Sequence, residues 1–388
     1  MVDFSLTETD KKLIDLVREE NEIGRAFARE LDRTMEIEPS RLRGVHPAVA
    51  DREDPFELLE GVHEETSGLV IAEALMFMAS AQDVELRDVG GHEAFGSMVL
   101  RNFGTDVQKE KYGHLNLAIG ITEPDAGSDP GAMRSYARYD QETDEYVLNG
   151  EKIFISFFNK FDGAVALVKV AGKDGSRPEF GTFVLVKGAP GLIESPQMRK
   201  LGVRKHELSG FVMQDLRVPA VARLDADFGK TLSNFNHNRP IVSAVALASC
   251  RSLLDFTRDK LKAAGVELDY TQGTSGRSAL VDRFIRLESL WEASWGTVMR
   301  AKWLEHKQGM YSNGYRTEAS IAKAMGAKAA RDITQGCLEI LGPESLSEEY
   351  LAEKWFRDVR IADIYEGAGE IQRVLIARDI FGYKKELS

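Results

Sequence analysis

The sequence predicts an α+β protein in which a β segment lies between two helical ones, and three observations support this. Apolar residues recur near the helical period up to about residue 115. From about 117 to 220 they gather in short β-rich runs broken by Gly, Pro and Asp. From about 228 onward, long Ala/Leu-rich stretches with little proline restore the helical period. The corresponding boundaries are 1–117 for an N-terminal helical domain, 118–225 for a middle β domain and 226–388 for a C-terminal helical bundle.

Each element follows from local pattern. Thr7 with Asp10 three residues later has the form of a helix start, a hydroxyl cap with an acid in the first turn. Leu13, Leu16, Val17, Ile23 and Phe27 continue that helix, and Ile71, Leu75 and Met78 mark another. Leu69 to Met78 contains Glu73 and reads as a core helix, and Pro39 to Pro55 reads as a loop. Asn149-Gly150 between two β-rich runs predicts a hairpin turn. Val165–Val170, Thr182–Val186 and Phe211–Val218 are further strands. Ile241–Leu254, Ala279–Trp295, Ala319–Leu341 and Glu370–Ile380 are helices, and 263–278 is an extended loop.

Composition narrows the class. With 388 residues, 43% of them hydrophobic and 29% charged, the chain has the make-up of a globular protein with more than one structural layer. A formal net charge of −12 argues against a nucleic-acid or anionic-membrane surface as the main partner. Cys250 and Cys337 are too few for a disulfide framework and sit in apolar helical patterns, as core residues do. No basic leader with an apolar core opens the sequence and no apolar run reaches membrane length, so a cytoplasmic protein is expected. The seven histidines show no metal-ligand spacing, and neither a phosphate-binding loop nor a nucleophile elbow is present. Trp291 and Trp295, four apart on one helix, are expected in the core.

Two segments carry chemistry. In Ile364-Tyr365-Glu366-Gly367, Glu366 follows an apolar stretch at a chain bend. A carboxylate desolvated there has its pKa raised toward neutrality, as a general base for a weakly acidic C–H requires. In Ile121-Thr122-Glu123-Pro124-Asp125-Ala126-Gly127-Ser128-Asp129, Pro124 and Gly127 make a turn. Gly127-Ser128 offers backbone N–H groups and a hydroxyl to a diphosphate or heterocycle.

These two segments, Asn149-Gly150-Glu151-Lys152 with Ile155-Ser156, Arg357-Asp358 and the opening Asp3-Phe4-Ser5-Leu6-Thr7-Glu8 together resemble the acyl-CoA dehydrogenase family, in order and over nearly the whole chain. The resemblance implies that family's fold: an N-terminal all-α domain, a middle β domain and a C-terminal four-helix-bundle domain. It also implies FAD as cofactor, an acyl-CoA thioester as substrate and α,β-desaturation, with electrons passing to an electron-transferring flavoprotein. Glu366 is then the base for the α-proton while the β-hydrogen leaves as hydride to flavin N5. The backbone of Ile121 and Thr122 would bond the flavin pyrimidine edge, Gly127 and Ser128 would lie at the diphosphate, Phe154 would pack on the ring system and Ser156 would reach N5. The N–H of Glu366 would help stabilise the enolate, and Asn236, Arg239 and Gly367 would border the substrate, Arg239 at its CoA moiety. A homotetramer is the family's common state.

Three departures touch the cofactor's adenosine end. The family's Arg-x-x-Phe-Gly sequence has no clean match in Arg258 to Gly265, although Arg258, Lys260 or Lys262 could substitute. Glu339 replaces a glutamine, and Ala368 replaces a threonine. The segment Leu115 to Ala118 is also short, and with Gly90 to Glu93 it borders the acyl pocket in relatives. An unusual acyl group, cyclic, aryl or dicarboxylic, is expected. Two other readings remain open on sequence alone: a flavin-dependent oxidase or oxygenase of the same fold, and a catalytically silent partner subunit in a mixed oligomer.

Overall fold

The computed structural model describes residues 6–25, 28–34, 74–75, 94–171, 178–226, 229, 231, 235–309 and 312–382. The expected loop between Pro39 and Pro55, nearly all of the helix from Leu69 to Met78, and Gly90 to Glu93 lie outside the described residues. The described chain follows the predicted order of helices, strands and helices, and it divides into two compact units. One comprises 1–89, 200–205 and 235–388, and the other 90–199 and 206–234.

The first unit is helical. Helix α1 (Glu8–Arg25) opens with a reciprocal cap: the Thr7 N–H donates to Asp10 Oδ2 at 2.7 Å and the Asp10 N–H to Thr7 Oγ1 at 3.1 Å. Helix α2 (Ala28–Thr34) carries Asp32, which accepts a forked bond from Arg357 (3.0 Å from Nη1 to Oδ1, 2.6 Å from Nη2 to Oδ2). Asp358, next along, accepts the Val203 N–H at 2.7 Å. The Arg357-Asp358 pair thus fastens early and late segments of this unit through charge-assisted bonds. The long helices α5 (Phe235–Ala263), α6 (Ala279–Gln308) and α7 (Arg316–Leu341) pack mutually. Their shared core includes Leu247, Leu254, Phe284, Val298, Ile333 and both cysteines, which are free and buried. Trp291 lies in that core, stacked on Trp295 with ring centroids 6.0 Å apart, its indole N–H held by the Leu247 carbonyl. Helix α5 is long and apolar enough to cross a membrane, but most of it is buried inside this unit, as a core helix is. Helix α8 (Ala352–Asp358), a 3₁₀ turn (Val359–Asp363) and helix α9 (Gly369–Phe381) complete the unit. The bend carrying Glu366 falls between the last two.

The second unit is a sheet with helices α3 (Phe95–Phe103) and α4 (Asp106–Tyr112). Its strands are β1 (Leu117–Gly120), β2 (Tyr136–Asp140), β3 (Glu145–Ser156), β4 (Gly163–Val170), β5 (Glu179–Val186), β6 (Leu192–Glu194), β7 (Leu208–Pro219) and β8 (Arg223–Leu224). The order is β6-β7-β3-β2-β4-β5-β8, with β1 also paired to β4. Strands β1 and β2 both run parallel to β4, β1 along its first half and β2 at its last two residues. The chain leaves the sheet where β1 stops, and this places the Ile121–Asp129 turn. Strand β4 reads as a nearly continuous apolar run because it is buried on both faces.

One prediction fails here. Asn149-Gly150 is no hairpin turn; it lies inside β3, at a register shift between Leu148 and Gly150 opposite β7. The Asn149 side chain takes over local pairing: its Nδ2 donates to Asp215 Oδ1 at 3.1 Å and its Oδ1 accepts the Asp215 N–H at 2.9 Å. The true β2–β3 turn spans 141–144, with Asp144 at φ +55°. Gly150 serves a bulge instead of a turn: at φ +137°, a Cβ there would sit 2.6 Å from the Ser135 Cα. Gly150→Ala is therefore expected to destabilise by about 2 kcal/mol or more, read as a lower urea midpoint.

Candidate active-site elements

In the sheet unit the turn after β1 is clamped around a buried carboxylate. Glu123 closes a tight bridge with Ala126 through two backbone bonds of 3.0 and 3.1 Å. Its side chain points inward, accepting from Lys152 Nζ at 2.7 Å and from the N–H groups of Arg134 (2.6 Å) and Ser135 (3.1 Å). Both members of the ion pair are buried, Lys152 fully. Burial pushes the Glu123 carboxyl up, but the bonds from Lys152, Arg134 and Ser135 outweigh it and hold the group below the usual range.

This clamp commits the turn's carbonyls. The Ile121 carbonyl accepts from Lys152 Nζ (3.1 Å) and the Thr122 carbonyl from the Ile153 N–H (2.9 Å). The N–H groups of Ile121 and Thr122 are given no acceptor among the described residues. Gly127 and Ser128 are exposed, and a Cβ on Gly127 would meet nothing within 4 Å. On β3, Phe154 has φ +58° and is 56% exposed, an aromatic face turned out of the sheet at a second register shift. Ser156 is exposed too, and its hydroxyl lies 2.8 Å from His206 Nε2. That imidazole rests on the Phe157 ring, centroids 4.3 Å apart. Free edge donors, an open exposed turn and an outward aromatic suit a planar heterocycle with an anionic tail, so these residues fit a flavin dinucleotide.

In the helical unit Glu366 stands at the bend with φ +54°, followed by Gly367 at +91°. Its carboxylate atom Oε2 is buried without a hydrogen-bond partner. Desolvation raises its pKa to about 7, against the opposing pull of the Lys323, Arg239 and His237 charges. Arg239 is buried at the start of α5, its Nη1 donating to Asn236 Oδ1 at 2.9 Å and its Nε without a partner. Lys323 is fully buried on α7 and bonded to the Ala362 carbonyl; burial brings its pKa down to about 8, opposed by Glu366 and Asp363. Near the start of α5, His237 Nδ1 lies 2.5 Å from Glu305 Oε1, and Lys302 Nζ is 2.8 Å from Glu305 Oε2, all three buried. The N–H of Glu366 has no acceptor among the described residues, which leaves it for an oxyanion.

Of the residues named from sequence, Ile121, Thr122, Gly127, Ser128, Phe154 and Ser156 fall in the sheet unit, and Asn236, Arg239, Glu366 and Gly367 in the helical unit. Sequence reading missed Lys152 as the clamp, His206, Lys323, His237 and Gln372. Lys323 did carry a signal, because its helical neighbours Ala319, Ser320, Gly326 and Ala327 offer no acid for an ordinary surface pair. The three basic replacements weighed near the adenosine end fare differently. Arg258 is engaged with Asp255 and Glu288, and Lys260 with Glu344 and Tyr350. Lys262 forms no such bond among the described residues. Glu339 pairs with Arg283 and accepts from Gln335 Nε2 at 2.6 Å.

Comparison with known proteins agrees. Residues 118–216 match the middle-domain model and 228–381 the C-terminal-domain model of acyl-CoA dehydrogenases. A short-chain-specific acyl-CoA dehydrogenase of Clostridium acetobutylicum is 27% identical, over 98% of this chain and all of that protein. An acyl-CoA dehydrogenase of Bacillus subtilis is 30% identical, over 75% of this chain and 76% of that one. The solved structure of a glutaryl-coenzyme A dehydrogenase in complex with glutaryl-CoA superposes with a TM-score of 0.80 at 23% identity, covering 99% of this chain and 98% of that one. FAD is the characteristic cofactor of such enzymes. With both domain models matched in order and a relative at this identity over most of its length, the chain belongs to the acyl-CoA dehydrogenase family of oxidoreductases.

Proposed function

We propose that this protein desaturates an acyl-CoA thioester at the α,β position, with Glu366 as the base that takes the α-proton. The observation that carries the reading is a carboxylate with a partnerless buried oxygen at a left-handed bend, where desolvation raises its pKa against the charges of Arg239 and Lys323. Such a group is ionised in a useful fraction near neutrality and, being poorly solvated, is a stronger base than a surface glutamate. Glu366 N–H meets developing enolate charge, while Lys323 and Arg239 favour the ionised carboxylate before the proton arrives. Ile121 and Thr122 N–H groups, Gly127-Ser128, Phe154 and Ser156 hold the cofactor. What FAD supplies when bound is a two-electron acceptor for the β-hydrogen. The electrons then go to an electron-transferring flavoprotein. The short segment before the turn supports an acyl group other than a straight chain, of cyclic, aryl or dicarboxylic type.

The test is the visible spectrum of the purified protein under anaerobic titration with acyl-CoA thioesters. Flavin absorbance should bleach with one thioester class and not with the free acid. Efficient bleaching by butyryl- or octanoyl-CoA would remove the non-straight-chain part of the reading. A colourless protein that takes up no FAD on reconstitution would remove the whole.

A further inference from the structure

The bend that presents Glu366 is built on one buried side chain. Gln372 lies in the first turn of α9, fully buried, and its amide folds back over the helix start. Nε2 donates to two successive carbonyls, Glu366 at 3.3 Å and Gly367 at 3.2 Å. Both acceptors being carbonyls fixes which amide atom is nitrogen. The fit leaves no room for another group: a Cβ on Gly367 would come within 2.3 Å of Nε2. Glu366 at φ +54° is in a conformation that a non-glycine residue avoids without outside support. The amide supplies that support by tying down the peptide units on the C-terminal side of Glu366.

We propose that Gln372 is a positioning residue for the reaction, whose amide holds the Glu366–Gly367 bend in the left-handed form and so keeps the Glu366 carboxylate turned away from water. The inference rests on Glu366 being the base and adds what places it. Without the two bonds, the carbonyls of Glu366 and Gly367 turn outward to find water. The bend relaxes toward negative φ and the carboxylate swings into solvent, which removes the desolvation that makes it a strong base.

The experiment is an infrared titration of the purified holoprotein between pH 4 and 9, following the protonated carboxyl band as wild type minus Glu366→Gln. This readout needs neither substrate nor turnover. The wild-type band should titrate near pH 7. In Gln372→Met, which keeps length and loses the donors, the midpoint should fall by about one unit or more toward the ordinary glutamate value. Gln372→Leu, which removes the donors with a shorter apolar side chain, should shift it the same way and decides the matter if the Met variant does not fold. A folded variant with lowered thermal stability and an unmoved midpoint would overturn the inference and leave Gln372 a plain core residue. If no band near pH 7 disappears in Glu366→Gln, the reading of Glu366 itself is wrong and the inference falls with it.

Discussion

Glu366→Gln should lower the rate of α-proton removal roughly 10²–10⁴-fold, the span over which positioned general bases act, while FAD content stays at the wild-type level. The amide keeps the shape of the side chain and lacks the basic lone pair. The wild-type rate should rise with pH through about 7 as the carboxyl ionises, and the variant should lose that limb. The same substitution should change stability in the opposite sense. A carboxyl whose folded pKa lies near 7 against 4.5 unfolded binds its proton more tightly when folded. Its contribution is fully present below pH 4.5 and is lost as pH rises through 7. At pH 8 the ionised, desolvated carboxylate costs the fold about 3 kcal/mol, and Glu366→Gln should recover much of it. Denaturant midpoints should therefore favour the variant at pH 8 and converge with wild type near pH 4.5. Near-normal turnover in the variant, or equal stability gains at both pH values, would contradict the assignment.

Lys152→Met should cost the sheet unit about 3–5 kcal/mol, since it strands a buried carboxylate without its cation. Glu123 would keep the Arg134 and Ser135 N–H bonds but lose Nζ, as would the Ile121 carbonyl. The turn should loosen and the flavin-to-protein ratio should drop. Adding Glu123→Gln to Lys152→Met removes the stranded charge and retains an acceptor for both N–H groups, so the double variant should regain part of the stability. Urea midpoints and bound-flavin absorbance measure the two effects separately. A double variant no more stable than Lys152→Met would mean that packing, not charge, explains the loss.

The fold was legible where periodicity speaks for itself. The predicted helix Ala319–Leu341 is observed as Arg316–Leu341, and Val165–Val170 lies inside β4. It was not legible at Asn149-Gly150, because the dipeptide that favours a hairpin also suits a bulge. What decides between them is Ser135 beneath Gly150, fifteen residues earlier in the chain and invisible to a local window. The candidate site divides the same way. Glu366 could be named because its own neighbours form the bend. His237 could not, because its role depends on a buried contact with Glu305 on another helix, and sequence periodicity records only that a position faces inward; Lys323 offered only its lack of an acidic helical neighbour. Gln372 reads as an unremarkable polar residue near a helix start.

Glu366 occupies a place where chemistry and chain conformation both favour a different residue. Its left-handed backbone suits glycine or asparagine, and its burial suits an uncharged side chain. In a copy of this protein relieved of turnover, random substitution would be pushed away from glutamate here by stability alone. Under the proposed reading, proton abstraction is what a glutamate at this disfavoured position supplies, and a silent subunit would have no use for it.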